Sequence, residues 1–326
     1  MKIALLGATG FVGRTAAAAL AARPDVRELL LVDYDIRAAK KFAKSLSPKC
    51  RWAMADAGRT PDLERLLHDV DAVASAVGPC FDYEKPILLC CAGRKRPAAS
   101  IGDGPIPGAD RRELHDAFRR AGVAAVSGCG LLPGWTELLA RHFLGTESAA
   151  GDTSARKTRG LLFWSPERFG GYAFFRRMSR ERGPEMPAPA GAPGGIYRET
   201  RAGDLAGMPT GGSAVRRAAG RVGALGTVGL EFSAALLFWL RGRIHAPEGT
   251  PAAAAGLVSA GREGAAIVAL IEDPEGRLPG LLLAETVMRL AERSGDEKGL
   301  LPLPEVIGRK EAEGLAEAAG ARIIMR

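Results

Sequence analysis

The chain has 326 residues, 47% of them hydrophobic and 25% charged, which is an ordinary globular composition with room for two domains. Its net charge of +8 comes mainly from arginine, since only ten of the 45 basic residues are lysine. No basic stripe interleaved with aromatics points to nucleic acid, and an anionic cofactor with an acidic substrate accounts for part of the excess. The five cysteines form no C-x-x-C pair and the first residues already read as a strand, which together predict reduced thiols and a cytoplasmic location.

Lys2 to Leu6 is an apolar run of the length of a buried parallel strand. Gly7-Ala8-Thr9-Gly10-Phe11-Val12-Gly13 follows at once, and Thr15 to Ala22 reads as helix. A second apolar run, Glu28 to Val32, ends in Asp33, with Tyr34 beside it. Each glycine has a reason. Gly7 lets the chain leave the strand in a tight turn, Gly10 removes the Cβ that would hold a pyrophosphate off the backbone, and Gly13 lets helix and strand pack closely. The helix start then offers amides and a positive dipole end to phosphates. Asp33, twenty residues after Gly13, is placed to accept from an adenosine ribose. Such a turn between strand and helix predicts dinucleotide binding. A carboxylate repels a 2′-phosphate, so Asp33 favours NAD, while Arg37 leaves NADP possible if Asp33 turns away.

The alternation continues. Helices are predicted over Ile36 to Ser45, Pro61 to His68 (with Thr60 as N-cap), Tyr83 to Ala92 and Asp110 to Ala121. Strands are predicted over Arg51 to Ala55, Asp71 to Val77, Ala98 to Ile101 and Val123 to Ser127. Repeated βαβ units with short links demand a doubly wound parallel sheet, a Rossmann fold of the α/β class. Its ligands sit at the strand carboxyl ends, where Gly7, Asp33, Asp56, Gly78, Asp103 and Gly128 all fall. The cofactor set is therefore Gly7 to Gly13, Asp33, Tyr34, Asp56 and the Ala76-Val77-Gly78-Pro79 strand exit.

Beyond Gly128 the texture changes, and a second α+β domain for substrate and dimerisation is expected over 129–294, after a Rossmann domain over 1–128. Leu161 to Trp164 and Ala265 to Ile271 read as strands, Leu281 to Arg293 and Arg309 to Ala319 as helices, and Arg182 to Pro209 as loops. The segment from about 295 to 326, including the apolar Arg322 to Met325, packs back on either domain. Val222 to Leu240 is nineteen residues with one charge, Glu231, between Arg221 and Arg241. That borders on a membrane span, but three glycines and a central carboxylate favour a buried or interface helix and no membrane.

Three places together resemble one family. They are Gly7 to Asp33; Gly78-Pro79 through Asp82-Tyr83 and Pro86 to Gly93 to Ile101-Gly102-Asp103; and Gly128-Cys129-Gly130-Leu131-Leu132-Pro133-Gly134-Trp135. Their order is similar to the saccharopine dehydrogenase-like oxidoreductases. The resemblance covers about the first 145 residues well and leaves roughly 155 to 260 unmatched. It implies an NAD(P)-dependent enzyme, usually a homodimer, that moves hydride at the carbon–nitrogen bond of an amino-acid-derived substrate.

Nicotinamide supplies the hydride, so the protein need only orient substrate, exclude water and handle one proton. The catalytic candidates are Asp103, Tyr83 and Cys129. Asp103 reads as proton carrier, ammonium ligand or plain turn acid. Tyr83 reads as a cofactor or substrate contact or as a core aromatic. Cys129 reads as a small residue whose backbone approaches the nicotinamide. The arginines Arg176, Arg177, Arg180 and Arg182 read as a carboxylate clamp or a solvated helix face. His68, His115, His142 and His245 are scattered singly, and no metal-ligand spacing appears.

Extended short-chain reductases share the Gly-Ala-Thr-Gly start but need Tyr-x-x-x-Lys, and no lysine stands four past Tyr34, Tyr83, Tyr172 or Tyr197. A semialdehyde dehydrogenase with Cys129 as nucleophile needs a base, for which His245 is the distant candidate. A non-catalytic dinucleotide-binding redox sensor is the remaining alternative.

Overall fold

The computed structural model describes residues 1–102, 104, 106–145, 158–180, 185, 186, 188–199, 204–209, 227–243, 246–261, 264–293 and 297–326. They fall into two compact units, Met1–Gly134 with Pro279–Gly308, and Trp135–Leu278 with Arg309–Arg326.

The first unit is built on strands β1 (Lys2–Leu6), β2 (Glu28–Asp33), β3 (Cys50–Met54), β4 (Ala72–Ser75), β5 (Ala98–Ser100) and β6 (Ala124–Ser127). Helices α1 (Phe11–Ala22), α2 (Ile36–Leu46), α3 (Thr60–Leu66), α4 (Cys80–Gly93) and α5 (Gly108–Ala121) alternate with them. All pairings are parallel, and the order across the sheet is β6-β5-β4-β1-β2-β3. The chain thus runs outward from β1 to β3, then returns to lay β4 on the other side of β1. That reversal is the switch point at which doubly wound sheets bind their ligands. Helix α1 buries Gly13, Ala16, Ala17 and Leu20; small residues along that face let it lie close on the strands. Asp35 caps α2, accepting from the Arg37 and Ala38 amides at 2.9 and 3.0 Å. The cap predicted at Thr60 is corrected: Arg59 holds the N-cap position and Thr60 is already helical, with Pro61 in the first turn.

A seventh parallel strand was not foreseen. Gly299–Leu300 pairs with β6 at the sheet's edge. The helix before it, Leu278–Glu292, lies against α1 closely enough that a Cβ on Gly280 would come within 2.5 Å of Thr15. Arg23 near the end of α1 pairs with Glu285 of that helix at 2.9 Å.

The second unit carries a mixed seven-stranded sheet. In sheet order its strands are Arg322–Met325, Gly264–Asp273, Ala253–Gly261, Thr158–Trp164, Leu205–Met208, Ile196–Glu199 and Glu185–Met186. Only the Thr158–Trp164 pairing with Leu205–Met208 is parallel. Three of these strands fall within Arg182 to Pro209, so the all-loop expectation there is corrected: strand pairing, not proline and glycine content, decides those residues. Arg322–Met325 joins this sheet beside Gly264–Asp273. Two helices, Tyr172–Arg180 and Thr227–Leu240, pack through Phe175 and Leu237 with Phe174 and Phe238 alongside. Arg176 donates to Glu231 across that pair at 2.7 Å and Arg177 is buried, so neither lies on a solvated face; Arg182 lies outside the described residues. Residues 222–226 of the long apolar segment also lie outside them. Among the described residues no helix is long and apolar enough to cross a membrane.

Candidate functional site

The Gly-rich turn sits between the exits of β1 and β4. Gly7 has φ +71, and its backbone is so close to β4's exit that a Cβ would lie 2.9 Å from the Ala76 carbonyl. The Gly7 and Ala8 amides both donate to the Val32 carbonyl, at 2.9 and 3.2 Å, which ties the turn to β2. A Cβ on Gly13 would stand 2.1 Å from the Gly7 oxygen and 2.9 Å from Ala8, so α1 can approach the strand only with glycine there. Gly10 differs. A Cβ on it would meet one neighbour, the Gly7 oxygen at 3.2 Å, and otherwise open space. This is a cradle that a side chain would fill. The first amides of any helix lack intrahelical acceptors, and here neither a side-chain cap nor an acid competes for them. The residues present therefore fit a pyrophosphate.

Asp33 is committed to the turn itself. Its Oδ2 accepts from the Thr9 amide at 2.9 Å and the Thr9 hydroxyl at 2.8 Å, and its Oδ1 accepts from the Asp35 amide at 3.2 Å. Tyr34 beside it is 76% exposed. Around this end of the turn, the Arg14 guanidinium donates to the Thr9 carbonyl at 2.9 Å and lies 4.9 Å from the Phe42 ring centre, and the Lys40 ammonium lies 5.8 Å from that of Trp52. Arg37 on α2 is exposed. Asp56, after β3, turns its carboxylate onto its own loop, accepting from the Gly58 amide at 2.9 Å.

On the other side of the switch point, Ala76 and Val77 leave β4 under the turn, the Ala76 amide donating to the Leu6 carbonyl at 2.9 Å. Gly78 follows, and Pro79 caps α4. Tyr83 is half-buried against the apolar cluster, with its ring beside Gly58. It therefore stands beside the loop that follows β3. Cys129 is fully buried, its amide and that of Gly128 donating to the Ser100 carbonyl at 2.9 and 3.1 Å. Full burial is the setting of an inert thiol rather than a nucleophile. Asp103 and His245 lie outside the described residues. Of the two described catalytic candidates, Cys129 lies at the paired exits of β5 and β6.

One residue at those exits escaped sequence reasoning. Glu84 is 4% exposed, and its Oε1 accepts from the Ser127 hydroxyl at 2.6 Å. Glu84, Leu88 and Cys91 are all buried and recur at i, i+4 and i+7. An acid on that otherwise apolar stripe was the available signal. Among the described residues no group of His, Cys, Asp and Glu could hold a metal ion.

A glycine turn at the switch point of a parallel sheet, with phosphate-accepting amides above it, defines a dinucleotide-binding Rossmann protein, the class of nicotinamide-dependent oxidoreductases. Residues 3–126 match the family described as the saccharopine dehydrogenase NADP binding domain. The whole chain shares the fold of apo saccharopine dehydrogenase (L-Glu forming) from Saccharomyces cerevisiae, at a TM-score of 0.55, 15% identity and 99% coverage of both chains. The first finding is a likeness of residues 3–126 to that domain, and the second is a likeness of fold over the whole chain. Two further matched structures cover part of it. A short-chain dehydrogenase/reductase from Brucella melitensis has a TM-score of 0.30 and 19% identity over 39% of this chain and 71% of its own. Serine dehydrogenase from Escherichia coli has 0.29 and 12% over 39% and 81%. No curated protein matches the sequence. The matched domain is described by NADP, which turns against the expectation of NAD.

Proposed function

We propose that this protein is an NADP-preferring oxidoreductase that moves hydride at a carbon–nitrogen bond of an amino-acid-derived substrate. The observation that carries the reading is the Gly7–Gly10–Gly13 cradle at the β1–β4 switch, in a chain with the fold of a saccharopine dehydrogenase along its whole length. NADP is favoured because Asp33 spends both oxygens on Thr9 and Asp35, which draws its charge inward, while the exposed Arg37 guanidinium four residues on is of the type that holds a 2′-phosphate.

When bound, the nicotinamide supplies the hydride acceptor. The chain's own work is to seat the pyrophosphate on the α1 amides, anchor the phosphorylated ribose through Arg37, and present a dry surface at the β5 and β6 exits. In oxidation the amine-bearing carbon gives up hydride and its nitrogen loses one proton, leaving an imine that water hydrolyses. Asp103 is the group proposed to take that proton. The second unit is proposed to bind the substrate and to make a homodimer.

The test is to mix the protein with NADP+ and a panel of amino acids and secondary amines at mildly alkaline pH and follow the absorbance of the reduced cofactor. Turnover with an amine, reduced at least about a hundredfold in Asp103→Asn, is the expected result. Tight binding without turnover across the panel favours the redox-sensor alternative instead.

A further inference from the structure

The Thr227–Leu240 helix of the second unit buries one face and leaves the other bare. Ser233, Ala234 and Leu237 are buried, and Leu237 packs on Phe175 of the neighbouring Tyr172–Arg180 helix. Phe232, Ala235 and Trp239 are exposed and Leu236 is partly so. These four recur at i, i+3, i+4 and i+7, a single stripe along a helix. Phe232 is 58% exposed and Trp239 66%. Tyr172 lies beside the stripe, 42% exposed, with its ring edge-on to that of Phe238 at 5.9 Å. Glu231, the one acid in the helix sequence, is turned to the neighbouring helix and accepts from Arg176 at 2.7 Å. Single exposed apolar residues are ordinary on a protein surface, but an aligned stripe with two large aromatics marks a contact surface.

At the carboxyl end of this helix the charges have one sign. Arg241 lies 4.1 Å from the Phe238 ring centre, and the exposed Arg243 lies 4.7 Å from that of Trp239. A guanidinium keeps its charge in any protein setting. A second copy of the chain matches this pattern poorly. With two stripes centred on Leu236, a parallel pair sets Arg243 against Arg243. An antiparallel pair sets it against the amino end of the other helix, which is the positive end of the dipole. An anionic lipid surface answers both features at once, taking aromatic side chains at headgroup depth and guanidinium groups against phosphate. The net charge of +8 adds a long-range attraction to such a surface. The helix has 14 residues, a length of about 21 Å, so it cannot cross a hydrocarbon core of about 30 Å. We propose that this face docks the protein on an anionic membrane, the helix lying in the plane with Phe232, Leu236 and Trp239 at the acyl boundary and Arg243 among the headgroups. The glycines and the carboxylate that weigh against a span do not weigh against binding in the plane.

The experiment is flotation of the whole chain with vesicles of phosphatidylcholine alone and with about a third phosphatidylglycerol added. Wild type should rise with the anionic vesicles and less with the neutral ones, and binding should fall as salt is raised. Phe232→Ser combined with Trp239→Ser should weaken binding at least about tenfold. Arg243→Gln should weaken it about fivefold, the loss of one cation at such a surface. Ala235→Glu puts an anion on the stripe at an exposed position where glutamate suits a helix, and it should weaken binding as well, which keeps the test open if the double variant fails to fold. NADPH affinity should be unchanged in every variant. Wild type that floats with neither vesicle, or variants that float as wild type does, overturns the proposal. So does a lipid-free dimer that the Phe232 and Trp239 changes split into monomers while vesicle binding is absent, since the face then belongs to a second copy. None of these outcomes depends on nucleotide binding, so the dinucleotide reading is tested apart from them.

Discussion

Both units carry seven-stranded sheets, yet they are built on opposite plans. The first is all parallel, with buried strands, connecting helices and glycine turns at one edge. The second is mostly antiparallel, with pairings that join residues far apart in the chain: Ala253–Gly261 lies beside Thr158–Trp164, and Arg322–Met325 beside Gly264–Asp273. The difference teaches where chemistry can be concentrated. A parallel sheet aligns all its carboxyl ends, so the turn after β1, the Asp33 lock and the Glu84–Ser127 pair converge on one edge. In the antiparallel sheet the polar groups that stand out are structural. Asp273, fully buried, accepts from the Gly276, Arg277 and Leu278 amides at 2.9, 3.0 and 2.9 Å and starts the helix that returns to the first unit.

The comparison breaks if a change at the parallel edge leaves the cofactor untouched. The largest effect is expected for Gly13→Ala, whose Cβ must displace backbone at Gly7 and Ala8. It should abolish measurable NADPH binding by calorimetry and destabilise the fold by about 3 kcal/mol, the scale of an overpacked core. Next, Arg37→Ala should weaken NADPH about ten- to a hundredfold, the cost of losing a charge-assisted phosphate contact, with NADH within about twofold. Equal loss of both would show that Arg37 does not read the 2′-phosphate. Thr9→Val should sharpen the same point from the other side. With the hydroxyl bond to Asp33 gone, the carboxylate is free to turn toward the ribose, and NADH should gain about threefold on NADPH.

The smallest effect is expected in the second unit. Burial pushes the Asp273 carboxyl above its ordinary value of 3.8, outweighing the backbone amides that pull it down. A raised folded-state value means that the stability this group contributes is complete below the ordinary value and is lost as pH rises through the raised one. Wild type should therefore lose stability relative to Asp273→Asn over that window in denaturant melts, with nucleotide affinity unmoved. A wild type that instead gains stability on the variant as pH rises would mean the amides outweigh burial.

Much of the first unit was legible because each of its elements is local. Five- and six-residue apolar runs, one helix after each and a glycine turn between Leu6 and Phe11 are short-range signals. They predicted the Rossmann sheet and the cofactor edge together. The second unit was read in fragments. Ala253–Gly261, rich in alanine and glycine, carries no alternation to mark it as a strand, and Ile196–Glu199 and Leu205–Met208 were hidden among prolines and glycines. Their strand character comes from partners distant in sequence.

The amino-acid sequence by itself determined the parallel sheet, the glycine cradle and the presence of an acid after β2, because strand length, glycine spacing and helix periodicity are properties of neighbouring residues. Only the tertiary structure decided that Asp33 faces Thr9, that Glu84 meets Ser127, and that residues near 280 and 300 come back to α1 and β6. Those outcomes depend on which side chains close packing brings together, and no local spacing encodes that.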